Sequence, residues 1–136
     1  MNRIVVTGYA AVFLVLIPVL EISETHLLNE DWPGHARLHE AWQLLANGMI
    51  AGTALYLVWR KGRSFAALLL CLPLSLPFLI AWALQGTYGG SMLHTDGTQI
   101  AIYGINVAVP IVALLLLATL VALLLERRRR CADKDV

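Results

Sequence analysis

The sequence has little charge. Only 14% of its 136 residues are Asp, Glu, Lys or Arg, and its mean hydropathy is +0.72. A soluble domain is typically about one-quarter charged, so this composition is that of a membrane protein. The chain is short enough to form a single domain. With so few basic residues beyond those that flank apolar runs, we expect no nucleic-acid partner.

Cysteines and nucleotide-binding motifs are also scarce. The two cysteines, Cys71 and Cys131, fall in distant parts of the predicted layout and have no metal-ligand spacing, so we expect two free thiols. The sequence contains no Gly-rich phosphate loop, no dinucleotide fingerprint, no Gly-x-Ser-x-Gly elbow and no internal repeat. Nothing therefore indicates a nucleotide-dependent enzyme or a serine hydrolase.

Long apolar runs dominate the chain instead. They predict four transmembrane helices, at residues 4–22, 41–59, 65–84 and 100–125. The connecting parts are two outer loops at 23–40 and 85–99, a basic loop at 60–64 and a charged tail at 126–136. The predicted fold is all-α, an integral membrane four-helix bundle formed by one domain over residues 1–136.

The charge distribution orients these helices. Nine of the ten Lys and Arg residues fall on one side of four membrane crossings, and only Arg37 falls on the other. Because short loops rich in Lys and Arg stay in the cytoplasm, both termini are predicted to be cytoplasmic. The expected localisation is that of a multi-pass integral membrane protein, in the plasma or inner membrane if the host is bacterial, with the lipid bilayer as its surroundings.

Residues 21–42 form the one long polar stretch, and three of the four histidines lie in it. The candidate metal ligands are His26, His35, His39 and His94. The spacing of His35 and His39 places both imidazoles on one face of a helix, where they would meet a shared divalent metal ion. Imidazole suits zinc, iron, copper and nickel, so the spacing does not select one metal.

Other polar residues on the same side complete the predicted site. Glu21 and Glu24 are the candidate catalytic carboxylates. The candidates for contacting a substrate or orienting ligands are Gln43, Asn47, Asp96 and Asn106. Asn106 is expected on a helical stripe with Gln99 and Tyr103. Since lipid does not satisfy polar groups at membrane depth, we expect these side chains to face a cavity that opens outward.

Three interpretations of the polar stretch remain open. It forms a divalent metal site, it performs acid–base chemistry on an apolar substrate without a metal, or it only anchors helix ends at the headgroup level. A non-enzymatic role as an accessory or assembly subunit of a larger membrane complex is the alternative. Gly48 and Gly52, one helical turn apart, would allow close helix packing in such a complex or in a homo-oligomer.

The stretch also carries a resemblance. The run Glu24-Thr25-His26-Leu27-Leu28-Asn29 is followed by Asp31-Trp32-Pro33, His35-Ala36-Arg37-Leu38-His39 and Trp42. It resembles the signature of a family of small, uncharacterised four-span membrane proteins from bacteria and fungi. The resemblance covers the polar stretch and the overall pattern of spans. It implies that the stretch is a defining feature of the family, and it implies no established activity.

Overall fold

The computed structural model describes residues 1–94 and 96–132. Its four long helices are α1 (Asn2–Glu21), α2 (Gly34–Arg60), α3 (Ser64–Leu84) and α4 (Ala108–Ala132). A 3-10 turn (Gln85–Thr87) and a hairpin of β1 (Ala101–Ile102) and β2 (Ile105–Asn106) connect α3 to α4. All four helices are long and apolar enough to cross a membrane. The prediction of a helical protein with four segments of membrane-spanning length is confirmed.

Helix α1 contains one wider turn, a π-helical segment at Val12–Leu16. Within it the backbone N–H of Ile17 donates to the carbonyl oxygen of Val12, five residues back. Pro18 follows directly and has no N–H, and in a regular α-helix its ring would clash with the carbonyl of Leu14. The wider turn accommodates the proline, so α1 continues to Glu21.

Helix α4 begins at Ala108 and not at residue 100. The two strands pair antiparallel, with Ile102 opposite Ile105, and the two residues between them both have positive φ: Tyr103 at 52° and Gly104 at 80°. Such a two-residue turn matches the twist of a hairpin and is incompatible with a helix. The stripe expected from Gln99, Tyr103 and Asn106 therefore does not form, because these residues precede the helix.

At its other end α4 continues beyond the apolar run to Ala132, so the four arginines at 127–130 of the predicted charged tail are helical. Lys134, which belongs to the same predicted tail, lies outside the described residues. Both cysteines are free thiols, as expected.

Helices α1 and α3 lie at the centre of the bundle, where each contacts the other three helices. The core consists of Val5, Val6, Tyr9, Phe13, Ala51, Ala54, Val58, Ala67, Leu68, Cys71, Leu74 and Ala122. Within α2, all of whose residues are described, the residues before Ala51 are exposed or half-buried. The side chains in the first half of α2 are therefore much more exposed than those in its second half.

Three contacts bring the helix ends together at what we call the basic end. Asn2 Nδ2 donates to Glu126 Oε2 at 2.7 Å, which joins the start of α1 to α4. The guanidinium groups of two arginines lie over aromatic rings, Arg3 over Trp59 and Arg130 over Phe65, at 4.8 and 4.7 Å from the ring centroids. The basic residues grouped from the sequence, as far as they lie within residues 1–94 and 96–132, thus share one end of the bundle, and Arg37 lies at the opposite end.

A buried polar network joins three helices inside the core. The Tyr9 hydroxyl donates to Ser75 Oγ at 2.9 Å and lies 3.2 Å from Thr119 Oγ1. All three side chains are fully buried, and the Tyr9 ring stacks on Phe13 with a centroid distance of 5.9 Å. Because each hydroxyl has a hydrogen-bond partner, burying the network costs little free energy. The hydrogen bonds fix the relative positions of α1, α3 and α4.

Candidate functional site

The candidate site forms at the end opposite the basic end, where α1 stops at Glu21. Ile22 leaves the helical conformation, with φ −83° and ψ 70°, and the chain turns back on itself. The turn is closed by backbone hydrogen bonds from Leu27 to Glu21 and from Leu28 to Ser23, at 3.0 and 2.9 Å. As a result His26 Nε2 lies 3.2 Å from Glu21 Oε2.

Two further rings surround His26. The His94 ring packs edge-on against it with a centroid distance of 4.8 Å, and the Trp32 ring does so at 5.8 Å. These residues come from the end of α1, the turn after it and the distant loop before the hairpin. We call Glu21, His26, Trp32 and His94 the outer cluster. The side chains of His26 and Glu21 are 23% and 27% exposed, so the pair is partly desolvated and still accessible.

A chain of hydrogen bonds determines which nitrogen of His26 carries a hydrogen. The Ser23 hydroxyl donates to the carbonyl oxygen of Leu20 at 2.8 Å. Ser23 Oγ therefore accepts from Thr25 Oγ1, which lies 3.0 Å away, because each hydroxyl has a single hydrogen. Thr25 Oγ1 in turn accepts from His26 Nδ1 at 3.0 Å. The complete chain is satisfied only when Nδ1 of His26 is protonated.

This arrangement allows Glu21 and His26 to share one proton. With Nδ1 protonated, Nε2 of a neutral His26 has only a lone pair, which accepts a hydrogen bond from a protonated Glu21 carboxyl group. The alternative places the same proton on Nε2, giving an imidazolium beside a carboxylate. The 3.2 Å contact therefore places the two groups within reach for the exchange of a single proton. Such a pair is able to donate and accept a proton at one position.

The surroundings of His26 favour its neutral form. Burial lowers the pKa of His26 below its usual value, the nearby His94 lowers it further, and the negative charge of Glu40 opposes both effects. The groups around this imidazole are thus Glu21 from α1, Glu40 from α2 and His94 from the loop. Burial and His94 outweigh Glu40, so the net direction of the pKa shift favours the neutral imidazole.

The lowered pKa of His26 predicts a loss of stability in acid. The imidazole of His26 binds a proton more tightly in the unfolded chain than in the folded protein. The contribution of neutral His26 to the free energy of unfolding is therefore fully present above its ordinary pKa of 6.5 and is lost as the pH falls below that value. We expect the midpoint temperature of thermal unfolding in detergent to decrease as the pH is lowered from neutral to about 5. The fall should be smaller in His26→Gln, and an equal fall in both proteins would contradict the assignment.

Hydrogen bonds that Thr98 makes with His94 and Asp96 hold His94 in place. The His94 backbone N–H donates to the Thr98 carbonyl at 2.8 Å, and Asp96 Oδ1 accepts from the Thr98 N–H and hydroxyl at 2.9 and 2.7 Å. These two bonds lower the pKa of the exposed Asp96 carboxyl. The side chain of Asp96 thus stabilises the loop that carries His94. In the described residues, the buried Nδ1 of His94 has no hydrogen-bond partner.

An open cleft of about 180 Å³ lies beside this loop. It is lined by Phe78, Ala81, Trp82, Gln85, Tyr88, Gly90, Ser91 and Met92. Most of these side chains are aromatic or apolar. His94 follows Met92 by two residues, which limits the distance between their Cα atoms to about 7 Å. The cleft therefore has mainly apolar walls and is formed in part by the segment of chain that leads to His94.

The other two histidines form a separate pair on α2. His35 and His39 are exposed, and their Nε2 atoms are 3.0 Å apart. His39 also lies next to Trp42, with a centroid distance of 5.8 Å. A shallow groove of about 280 Å³ follows this face, lined by His39, Trp42, Gln43, Ala46 and Asn47. Gln43 and Asn47 thus accompany the α2 pair and not the outer cluster.

The metal site predicted from four histidines is not supported by the structure. Across residues 1–94 and 96–132, no group of three or more His, Cys, Asp or Glu side chains is arranged to hold a metal ion. Two local features separate the histidines. The turn after α1 directs His26 toward Glu21 and His94, whereas α2, which already begins at Gly34, presents His35 and His39 on its exposed face.

The remaining predicted site residues have other positions. Glu24 is exposed in the turn, and because α1 ends at Glu21 the two carboxylates do not share a helical face. Asn106 Oδ1 accepts from the Ala108 N–H at 3.0 Å, in a side-chain turn just before α4. A methyl group on Gly48 would meet Leu14 of α1 at 3.7 Å, and one on Gly52 would meet nothing within 4 Å. Packing against another chain at Gly52 stays a prediction.

Sequence patterns do not identify Ser23, Thr25 or Glu40 as parts of the site. Hydroxyl residues just after a helix end often bond to nearby backbone and side-chain groups, so the positions of Ser23 and Thr25 indicate such hydrogen bonds. The position of Glu40 in the sequence gives no such indication, because Glu40 acts on His26 only through the way α2 packs beside the turn. That arrangement is tertiary and has no counterpart in residue spacing.

Comparison with known proteins gives a family but no activity. A family model described as a family of unknown function, DUF6640, matches residues 5–135. No curated protein and no solved structure matches the chain. The match and the four apolar helices agree with the resemblance to a family of small, uncharacterised membrane proteins, which is thereby confirmed. Because the match covers nearly the whole chain, the protein belongs to this family of unknown function, DUF6640.

Proposed function

We propose that this protein is a small multi-pass membrane enzyme that transfers protons on an apolar substrate at the outer cluster. Four apolar helices support membrane insertion. The collection of Arg and Lys residues at the basic end supports a cytoplasmic location for both termini. In this orientation the outer cluster lies on the extracytoplasmic side, near the boundary between lipid and water.

The observation that carries the proposal is the contact between Glu21 and His26. The two groups lie 3.2 Å apart, within reach of a shared proton, and both are partly exposed. A purely structural ion pair would require a charged imidazole, whereas the surroundings of His26 lower its pKa. A poised donor and acceptor at one accessible position is the arrangement that general acid–base catalysis requires.

The simplest reaction for such a pair is isomerisation. One group removes a proton from a carbon of the substrate, and the same proton or an exchanged one is returned at another carbon. The double bond moves, the substrate gains and loses no atoms, and the pair returns to its starting protonation state.

The apolar character of the substrate is inferred from the surroundings of the pair. The cleft beside His94 has mainly aromatic and apolar walls, and its volume of about 180 Å³ is smaller than a typical site for a whole ligand. It would hold one end of an amphiphilic molecule while the rest stays in the lipid. A water-soluble substrate would instead favour a polar, enclosed pocket.

Deuterium labelling tests the proposal without knowledge of the substrate. The purified protein is incubated in deuterated water with the total lipid extract of its host membranes, and the lipids are analysed by mass spectrometry. We expect deuterium in the C–H positions of one lipid class with the wild type and with the control His35→Gln, which lies outside the cluster. Equal labelling in the absence of protein, or full labelling by Glu21→Gln and His26→Gln, would contradict it.

A further inference from the structure

We propose that His35 and His39 form a two-histidine binding site for a divalent transition-metal ion, with Cu²⁺ as the preferred ion. The site lies on the exposed face of α2 and shares no residue with the outer cluster. It is smaller than the site expected from the sequence, because only two of the four histidines take part. The proposal does not depend on the acid–base function.

The distance between the two nitrogens is that of adjacent metal ligands. The Nε2 atoms of His35 and His39 lie 3.0 Å apart. With metal–nitrogen bonds of about 2.0–2.1 Å, this separation corresponds to an angle of about 90° at the ion. A tetrahedral ion would need about 3.4 Å between the same atoms. Right-angled positions are those of square-planar and tetragonal ions, and Cu²⁺ and Ni²⁺ prefer them.

The helix holds the two rings in place before an ion binds. Residues four apart lie on one face of an α-helix, and α2 is continuous from Gly34 to Arg60. In the free protein one Nε2 carries a hydrogen and the other accepts it, so both Nε2 atoms already lie close together on one side of the helix. A bound ion would take the place of this hydrogen bond and lie to one side of the line between the two nitrogens, and each Nδ1 would then carry the ring hydrogen. Rotation of the two exposed rings about their side-chain bonds is the rearrangement needed.

The surroundings leave room for the rest of the coordination shell. Both histidines are exposed, and the adjoining groove of about 280 Å³ is open to solvent on the side of Trp42 and Gln43. Among the described residues no third His, Cys, Asp or Glu completes a cluster, so water fills the remaining positions. Imidazole ligands favour copper, nickel and zinc over magnesium and calcium, and copper lies at the top of the affinity order.

Trp42 provides a direct readout of binding. Its ring lies 5.8 Å from that of His39, centroid to centroid, so a paramagnetic Cu²⁺ ion at the pair should quench its fluorescence. The test titrates CuCl₂, NiCl₂ and ZnCl₂ into untagged, detergent-purified full-length protein. Electron paramagnetic resonance of the Cu²⁺ form then counts the bound nitrogens. The variants are His35→Gln, His39→Gln and the double variant, with His26→Gln as the matched control.

We expect saturable quenching at one Cu²⁺ per chain, hyperfine coupling to two imidazole nitrogens and weaker binding of Zn²⁺. Each single variant should weaken Cu²⁺ binding at least about tenfold, and the double variant should abolish it, while His26→Gln should bind as the wild type does. Absence of saturable binding in the wild type would overturn the proposal. Unchanged binding in the double variant, or loss of binding in His26→Gln, would also overturn it. Circular dichroism of each variant controls for folding.

Discussion

Replacement of Tyr9 by alanine lowers the free energy of unfolding by about 3–5 kcal/mol. Tyr9 is fully buried at the centre of the bundle, where its ring stacks on Phe13. Removing the side chain leaves a cavity between three helices and deprives Ser75 and Thr119 of their shared hydroxyl partner. Since Tyr9 belongs to the packed core of the bundle, neighbouring side chains have little freedom to fill the space.

Tyr9→Phe separates the two contributions. It keeps the ring and removes only the hydroxyl, so its expected cost is about 1 kcal/mol, the usual magnitude for a hydrogen bond between helices in a membrane. Both variants are measured by reversible unfolding in mixed micelles, with Val15→Ala at an exposed position of α1 as control. A cost for Tyr9→Ala no larger than that of the control would show that Tyr9 does not form the core.

Loss of either member of the Glu21–His26 pair should lower the rate of deuterium labelling by about 100- to 10,000-fold, the range typical of general acid–base catalysis. The conservative variants are Glu21→Gln and His26→Gln. Each keeps the approximate size of the side chain and replaces its titratable group with an amide. The proposal places one shared proton between the two groups, which lie 3.2 Å apart, so removing either group should remove the whole function. The double variant should therefore be no slower than the slower single variant.

The non-additivity distinguishes a shared proton from two independent roles. If Glu21 only positioned His26, the effect of Glu21→Gln would be much smaller than that of His26→Gln. If each acted alone, the two effects would multiply in the double variant. Thr25→Val offers a further control, because it interrupts the hydrogen-bond chain at Nδ1 without touching the Glu21 contact. Its expected effect is an intermediate loss of rate.

The helical part of the fold follows from the sequence because membrane-spanning helices depend on long apolar runs alone. The run at 65–84, for example, coincides with α3 to within one residue, since Ser64 precedes it at the end of a basic loop. The run at 100–125 fails for a local reason. Its first residues are equally apolar, but Tyr103 and Gly104 adopt positive φ and turn the chain into a hairpin. Hydropathy contains no information about that turn.

The sequence indicates which end of the bundle carries the candidate site, but it does not indicate which side chains contact one another there. Charge and polarity identify residues 21–42 and the loop at His94 as neighbours at one end. The partner of each histidine depends on where α1 stops, on the turn that returns His26 to Glu21, and on the early start of α2 at Gly34. These are backbone events of one or two residues, and residue spacing does not determine them.

The proton arrangement at His26 is the central claim, and nitrogen-15 NMR of histidine measures it most directly. The hydrogen-bond chain from His26 through Thr25 to Ser23 predicts that neutral His26 carries its hydrogen on Nδ1. Its Nε2 signal should shift in Glu21→Gln, while the signals of His35 and His39 stay unchanged. A hydrogen on Nε2 at neutral pH, or an Nε2 signal that ignores the loss of the Glu21 carboxyl group, would contradict the shared proton and the acid–base function built on it.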